Sequence, residues 1–224
     1  MNKIKLLATS DLHGKLEAFQ SAVLKERPDV VVVAGDVTNR SKDREFRGAA
    51  VDAWASLLKF CLRPECARTD FVIVPGNHDA GTRKFGRFIS KVADNIVYLD
   101  KNLKEPAVVK GMTFWGASTY RGARPAAGAD VYVFHRCPFK DAPEKGRTKL
   151  NPGGAALVLF GHSHISRCDW REIGDAVSLN VSNKSENGGR YIYHLLAMRS
   201  TAGRWTVDKK DSVLNNFTPQ LTQI

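Results

Sequence analysis

Five short apolar runs in this chain end in polar clusters of the same narrow composition, and that recurrence constrains the fold more than any other feature. Residues 4–8 lead into Ser10-Asp11-Leu12-His13, 30–34 into Gly35-Asp36, and 71–74 into Gly76-Asn77-His78-Asp79. Residues 131–134 lead into His135, and 157–160 into Gly161-His162-Ser163-His164. A turn accounts for Gly, Asn and Asp at the end of a strand. It does not account for five of the six histidines standing at such ends. In open α/β sheets the space beyond the carboxyl ends of the strands is where ligands bind. Five ends meeting there would gather three aspartates, an asparagine and five imidazoles. Burying that much polarity is unfavourable unless something compensates it, and metal ions are the natural compensation.

The segments between these ends fit such a sheet. The runs 30–34 and 71–74 are continuous and rich in β-branched residues, as in strands buried on both faces. Residues 16–25 place Leu16, Phe19, Val23 and Leu24 on one helical face, and Pro28-Asp29 ends that helix. Residues 46–62 repeat the pattern with Val51, Trp54, Leu57 and Leu58, and a third helix is expected over 83–92. The first half therefore reads as alternating strands and helices. The second half reads as mostly strands: 96–99, a hairpin of 107–109 and 112–117 turned by Lys110-Gly111, then 131–134, 156–160, 167–173, 176–181, 190–198 and 204–207. Two packed sheets flanked by helices satisfy both halves. One domain over 1–211 with a loosely patterned tail over 212–224 is the expected organisation. His194, inside the run 190–198, reads as a packed or surface histidine.

The donor types suit a metal centre. Two metals about 3.5–4 Å apart can share a carboxylate. Mixed imidazole, carboxylate and amide ligation suits zinc, iron or manganese better than calcium or copper. The His162-x-His164 spacing on an extended segment sends two imidazoles to one side.

The set D-x-H (Asp11, His13), G-D (Asp36), G-N-H-D (Asn77 to Asp79), H (His135) and G-H-x-H (His162, His164), in this order, resembles the calcineurin-like metallophosphoesterase superfamily. The resemblance implies an α/β fold, a four-layer αββα sandwich of two mixed β-sheets flanked by helices. It also implies a centre of two divalent or trivalent transition-metal ions: Mn, Fe or Zn. By motif position, Asp11, His13 and His164 would hold the first metal, and Asn77, His135 and His162 the second. Asp36 would bridge them. His78 would be catalytic and not a ligand, facing the substrate and assisting the leaving oxygen, while Asp79 would fix the loop. The implied reaction is phosphoester hydrolysis by a metal-bridging hydroxide.

The departures bear on the substrate. The phosphoprotein phosphatase branch reads G-D-x-x-D-R-G, whereas this chain reads Gly35-Asp36-Val37-Thr38-Asn39-Arg40-Ser41. Asn39 cannot support a protonated His78 as a carboxylate would. Arg40 matches a phosphate-binding arginine of that branch and is a candidate substrate contact. The loops 119–128 and 140–154 carry Tyr120, Arg121, Arg124, Lys145, Arg147 and Lys149. If they overhang the strand ends, Arg121 and Arg124 contact an anionic substrate; otherwise they are solvated loop charge. A phosphodiesterase acting on a nucleotide-like or nucleic-acid substrate is the favoured reading. A phosphomonoesterase or protein phosphatase is the alternative, and a non-catalytic metal-binding scaffold is the alternative of another class.

Composition narrows the partners. Lys plus Arg number 34 against 23 Asp plus Glu, a formal net charge of +11 that favours anionic partners such as phosphates or nucleic acid. No segment reads as a membrane span. The basic, apolar N-terminus leads straight into Ser10 and Asp11, so it reads as a first strand and not a signal peptide, and a cytoplasmic location is expected. Cys61, Cys66, Cys137 and Cys168 lack the paired spacing of a zinc ribbon and read as reduced thiols.

Overall fold

The computed structural model describes residues 2–100, 105–119, 128–138, 154–163, 171–173, 176–183 and 191–215. Arg121, Arg124, Lys145, Arg147, Lys149, His164 and Cys168 lie outside them.

The chain begins with β1 (Asn2–Thr9), α1 (Leu16–Glu26), β2 (Val30–Val33), α2 (Arg47–Cys61), β3 (Asp70–Ile73), α3 (Arg83–Val92) and β4 (Ile96–Tyr98). It continues with β5 (Ala107–Val109), β6 (Met112–Ala117), β7 (Val131–Phe134), β8 (Leu157–Phe160), β9 (Arg171–Ile173), β10 (Ala176–Asn180), β11 (Tyr191–Thr201) and β12 (Arg204–Asn215). The strands form two six-stranded sheets, β12-β11-β1-β2-β3-β4 and β5-β6-β7-β8-β10-β9. Both are mixed. In the first, β1 to β4 are parallel and β11 runs antiparallel to both its neighbours, β1 and β12; in the second, β5 and β9 run antiparallel to a parallel centre.

Alternation along the strands builds the layers. In β2, Val30 and Val32 join Leu6, Val72, Phe114, Val133 and Leu159 in a core between the sheets. Val31 and Val33 point the other way, into a second core with Phe19, Trp54, Leu57 and Phe60 from the helices. That is the period of two expected for a strand buried on both faces. The helix α1 stops at Arg27, whose left-handed backbone (φ 46°) returns its N–H to the Val23 carbonyl just before Pro28. A third cluster, with Trp115, Tyr132, Phe134 and Phe160, lies on the far face of the second sheet. No helix among the described residues is long and apolar enough to cross a membrane.

The last strand differs from the sequence reading, which ended it at 207. It runs from Arg204 to Asn215 and pairs with β11 along its length, with a register shift at Ala197/Met198. As an edge strand beside β11 it exposes many polar side chains, so the segment Asp208 to Ser212 lacks the apolar signal of a buried strand. His194, in β11, is buried, with Nδ1 2.9 Å from the Ser212 hydroxyl.

Candidate metal centre

The polar clusters after β1, β2 and β8 leave their strands through left-handed backbone. Asp11 (φ 58°), His13 (48°), Asp36 (54°), Arg40 (47°) and His162 (67°) all have positive φ, although none is glycine. Each such conformation costs about 1–3 kcal/mol and persists only where surrounding contacts hold it. Here they do. The Asp11 and His13 N–H groups donate to the Gly35 and Asp36 carbonyls, both at 2.9 Å. The His162 N–H donates to Asp11 Oδ2 (3.0 Å), joining the end of β8 in one sheet to the end of β1 in the other.

Asp79 ties two further loops. Its fully buried carboxylate accepts the N–H groups of Gly76 (2.8 Å), Thr38 (2.8 Å) and Val37 (3.2 Å) and the Thr38 hydroxyl (2.9 Å). Burial pushes the Asp79 carboxyl up, and these donors oppose that. The Ser41 hydroxyl donates to the His78 carbonyl and accepts the Gly81 N–H. Asp79 thus fixes its loop, as expected. Nothing local in the sequence marks Thr38 and Ser41, because their partners lie about forty positions away.

Asp36 is the hub. Its Oδ1 accepts the His78 N–H at 2.8 Å, and its Oδ2 lies 3.2 Å from His135 Nε2 and 4.0 Å from His78 Nε2. Among the described residues, two groups of ligand-capable side chains have all their donor atoms within 4.8 Å of one another: His13, Asp36 and His78, and Asp36, His135 and His162. Asp36 belongs to both. Asp11 stands beside the first, with Oδ1 3.9 Å from His13 Nε2, and Asn77 beside the second, with Oδ1 2.9 Å from His135 Nε2.

The donors fit a cation. His135 Nδ1 lies 2.9 Å from the Ala34 carbonyl, an acceptor only, so Nδ1 carries the hydrogen. In neutral imidazole the lone pair is then on Nε2, where it meets the Asp36 carboxylate and the Asn77 carbonyl oxygen. Three acceptors facing one another require a proton or a metal between them. Burial lowers the His135 basicity, but the Asp36 hydrogen bond and charge outweigh it, so the imidazole ends above 6.5. Burial likewise raises Asp36, yet His135 and the His78 N–H bring it below 3.8. Burial, then His135 and Arg136, push His162 down, which keeps its lone pair available.

His78 is held differently. Its Nδ1 accepts the Arg40 backbone N–H at 3.2 Å, so neutral His78 carries its hydrogen on Nε2, the nitrogen turned toward Asp36. An N–H there suits donation to a substrate oxygen better than ligation. The Arg40 side chain lies over the Phe46 ring (5.3 Å) and 3.7 Å from Asp43.

Glycine is required where these loops touch. A Cβ at Gly76 would fall 1.9 Å from Asp36 Oδ1, and one at Gly35 (φ 93°) would fall 2.5 Å from His135 Nδ1. Gly76→Ala is therefore expected to displace Asp36, lower the unfolding free energy by about 1–3 kcal/mol, and weaken metal uptake. Urea unfolding and metal titration check this; a variant equal to wild type in both would mean the two loops have room to part.

Residues 4–166 match the sequence model of the calcineurin-like phosphoesterases. No curated protein matches the sequence. Among solved structures, the calcineurin-like phosphoesterase YfkN of Bacillus subtilis aligns with a TM-score of 0.51 at 14% identity, over 95% of this chain and 90% of that one. A predicted phosphoesterase of Streptococcus pneumoniae aligns over 96% and 99% at 14% identity with a TM-score of 0.43. Phosphopantetheinyl hydrolase of Mycobacterium tuberculosis aligns over 80% and 89% at 15% identity, also with a TM-score of 0.43. At these identities the likeness to YfkN concerns the fold: two mixed sheets with flanking helices.

Proposed function

The chain belongs to the calcineurin-like phosphoesterase family and is a metal-dependent phosphoester hydrolase, and from that premise we propose that it is a dinuclear phosphodiesterase acting on a nucleotide-like substrate. The observation that carries the dinuclear reading is the position of Asp36, common to both donor groups. Asp11, His13 and His164 would hold one metal ion, Asn77, His135 and His162 the other, with Asp36 between them. When bound, Mn, Fe or Zn ions lower the pKa of water and neutralise phosphoryl oxygens.

The chain's own groups supply the rest. The Ala34 carbonyl fixes the His135 tautomer and so aims its Nε2 lone pair at the centre. The Arg40 N–H does the converse for His78, leaving an N–H donor for a phosphoryl or leaving oxygen. Asp79 holds the Asn77-His78 loop against the loop that follows Asp36, so the donors keep their relative places without substrate. A non-catalytic scaffold would not need the left-handed backbones that aim these groups.

The diester preference rests on the missing carboxylate at Asn39, which separates the chain from the phosphoprotein branch, and on the net charge of +11, which favours anionic esters larger than one phosphate. Arg121 and Arg124 are proposed rim contacts on the same ground. A cytoplasmic location is proposed with it; the buried thiols of Cys61 and Cys66 are compatible with a reducing compartment.

Metal-reconstituted protein should be assayed on bis(4-nitrophenyl) phosphate and 4-nitrophenyl phosphate, which share a leaving group. A higher kcat/KM for the diester is expected. A clear preference for the monoester would assign the chain to the phosphatases.

A further inference from the structure

A groove of 630 Å³ opens beside His13, between the start of α1 and the first turns of α2. Leu16, Ala50 and Ala53 give it apolar surface, and Glu17, Gln20, Asn39, Phe46 and Asp52 give it chemistry. Its volume is in the range that holds a small organic molecule. The groove contains His13 itself, so a substrate whose phosphate lies at the metal centre extends into it from that side.

The lining is unlike the rest of the chain. The protein is strongly basic, yet among the described residues this groove carries two carboxylates, Glu17 and Asp52, against one ammonium, Lys15. A second phosphate would meet those carboxylates and be repelled. An alkyl chain would cover Gln20 and Asn39 without pairing their amides. What fits is a neutral group with several hydrogen-bond donors and a flat face. The flat face has its counterpart in the Phe46 ring. The donors have theirs in Glu17, Asp52 and the two amides.

We infer that this groove binds the nucleoside of the substrate, with the base against Phe46 and the sugar and base donors on Glu17, Asp52, Asn39 and Gln20. The inference rests on the phosphodiesterase reading above and narrows it: the ester ends in a nucleoside on this side, and a polynucleotide strand does not continue through the groove.

The test compares thymidine 5′-(4-nitrophenyl phosphate) with methyl 4-nitrophenyl phosphate. Both release 4-nitrophenolate, and only the first carries a nucleoside. The quantity read is the ratio of their kcat/KM values in Mn-loaded protein. Phe46→Ala is expected to lower this ratio ~10-fold, as loss of one base–aromatic stack does. Ala49→Trp, at an exposed position on the groove wall, should lower it by a similar factor without disturbing the core. A ratio within about twofold of wild type in both variants overturns the inference. If wild-type protein cleaves neither ester, the phosphodiesterase reading is what has failed, and saturation-transfer NMR with thymidine and metal-loaded protein decides the groove. Transfer to the base protons that disappears in Ala49→Trp supports it; no transfer in wild type overturns it.

Discussion

Asp36→Asn is expected to cut phosphoester hydrolysis ~10³-fold or more, the scale of losing a principal electrostatic element of an active site, while leaving the fold intact. The two effects separate because of what surrounds the side chain. The amide oxygen can still accept the His78 N–H that Oδ1 accepts now. The amide nitrogen would replace Oδ2, 3.2 Å from His135 Nε2, and could donate to its lone pair. The metal-free variant is therefore internally satisfied, yet it has lost the one negative charge common to both donor groups. Elemental analysis should show less metal in it than in wild type; full double occupancy would sink the bridging assignment.

Metal-free protein adds a pH signature. Asp36 is depressed in the fold, so its contribution is present above 3.8 and lost as pH falls through its folded value. His135 is raised in the fold, so its contribution is complete below 6.5 and lost as pH rises through its folded value. The pair thus stabilises the metal-free wild type most between those limits. Asp36→Asn should melt below wild type at about pH 5, where the ion pair is lost, and the gap should close as pH rises through the folded value of His135, above which wild type sets a carboxylate against a lone pair. A metal held by these residues would take the place of the shared proton, so loaded wild type should not show the alkaline loss.

How much of this was legible in the sequence follows from the range of the interactions. The strands β2 and β3 and the helix α1 could be read because burial on both faces, or on one helical stripe, leaves a local pattern. The proposed donors stand out in the sequence because each lies at or shortly past the end of an apolar run. β12 could not be read past 207, since an edge strand facing solvent has no apolar alternation to display. Nor could the clamp on Asp79, whose donors Val37 and Thr38 lie about forty positions away with nothing but a hydroxyl or an amide to mark them. Arg40 shows a subtler limit. Its side chain drew attention as a possible phosphate contact, while its backbone N–H is what holds His78. A sequence advertises side chains; a left-handed φ that turns a backbone amide toward an imidazole is visible only in the folded loop.

His78→Ala is expected to retain the metal and the fold and to lose rate selectively. Removing the side chain takes away the Nε2–H that faces the centre, and its Nδ1 partner is a backbone amide that solvent can satisfy in its place. General acid or hydrogen-bond assistance to a leaving group is worth ~10²–10⁴-fold. The lower end is expected here. In the proposed role, His78 would donate its Nε2 hydrogen with Nδ1 already engaged by the Arg40 N–H and with no carboxylate at position 39 to assist. Such a donor matters most when the departing oxygen is a poor, strongly basic alkoxide, and least when it is 4-nitrophenolate, which leaves without protonation. Across diesters of graded leaving-group pKa, the gap between wild type and His78→Ala should widen with the basicity of the leaving oxygen. A constant gap would move the His78 contact from the leaving oxygen to a phosphoryl oxygen. A drop in metal content would make His78 a ligand after all, as its place in a group with His13 and Asp36 permits geometrically.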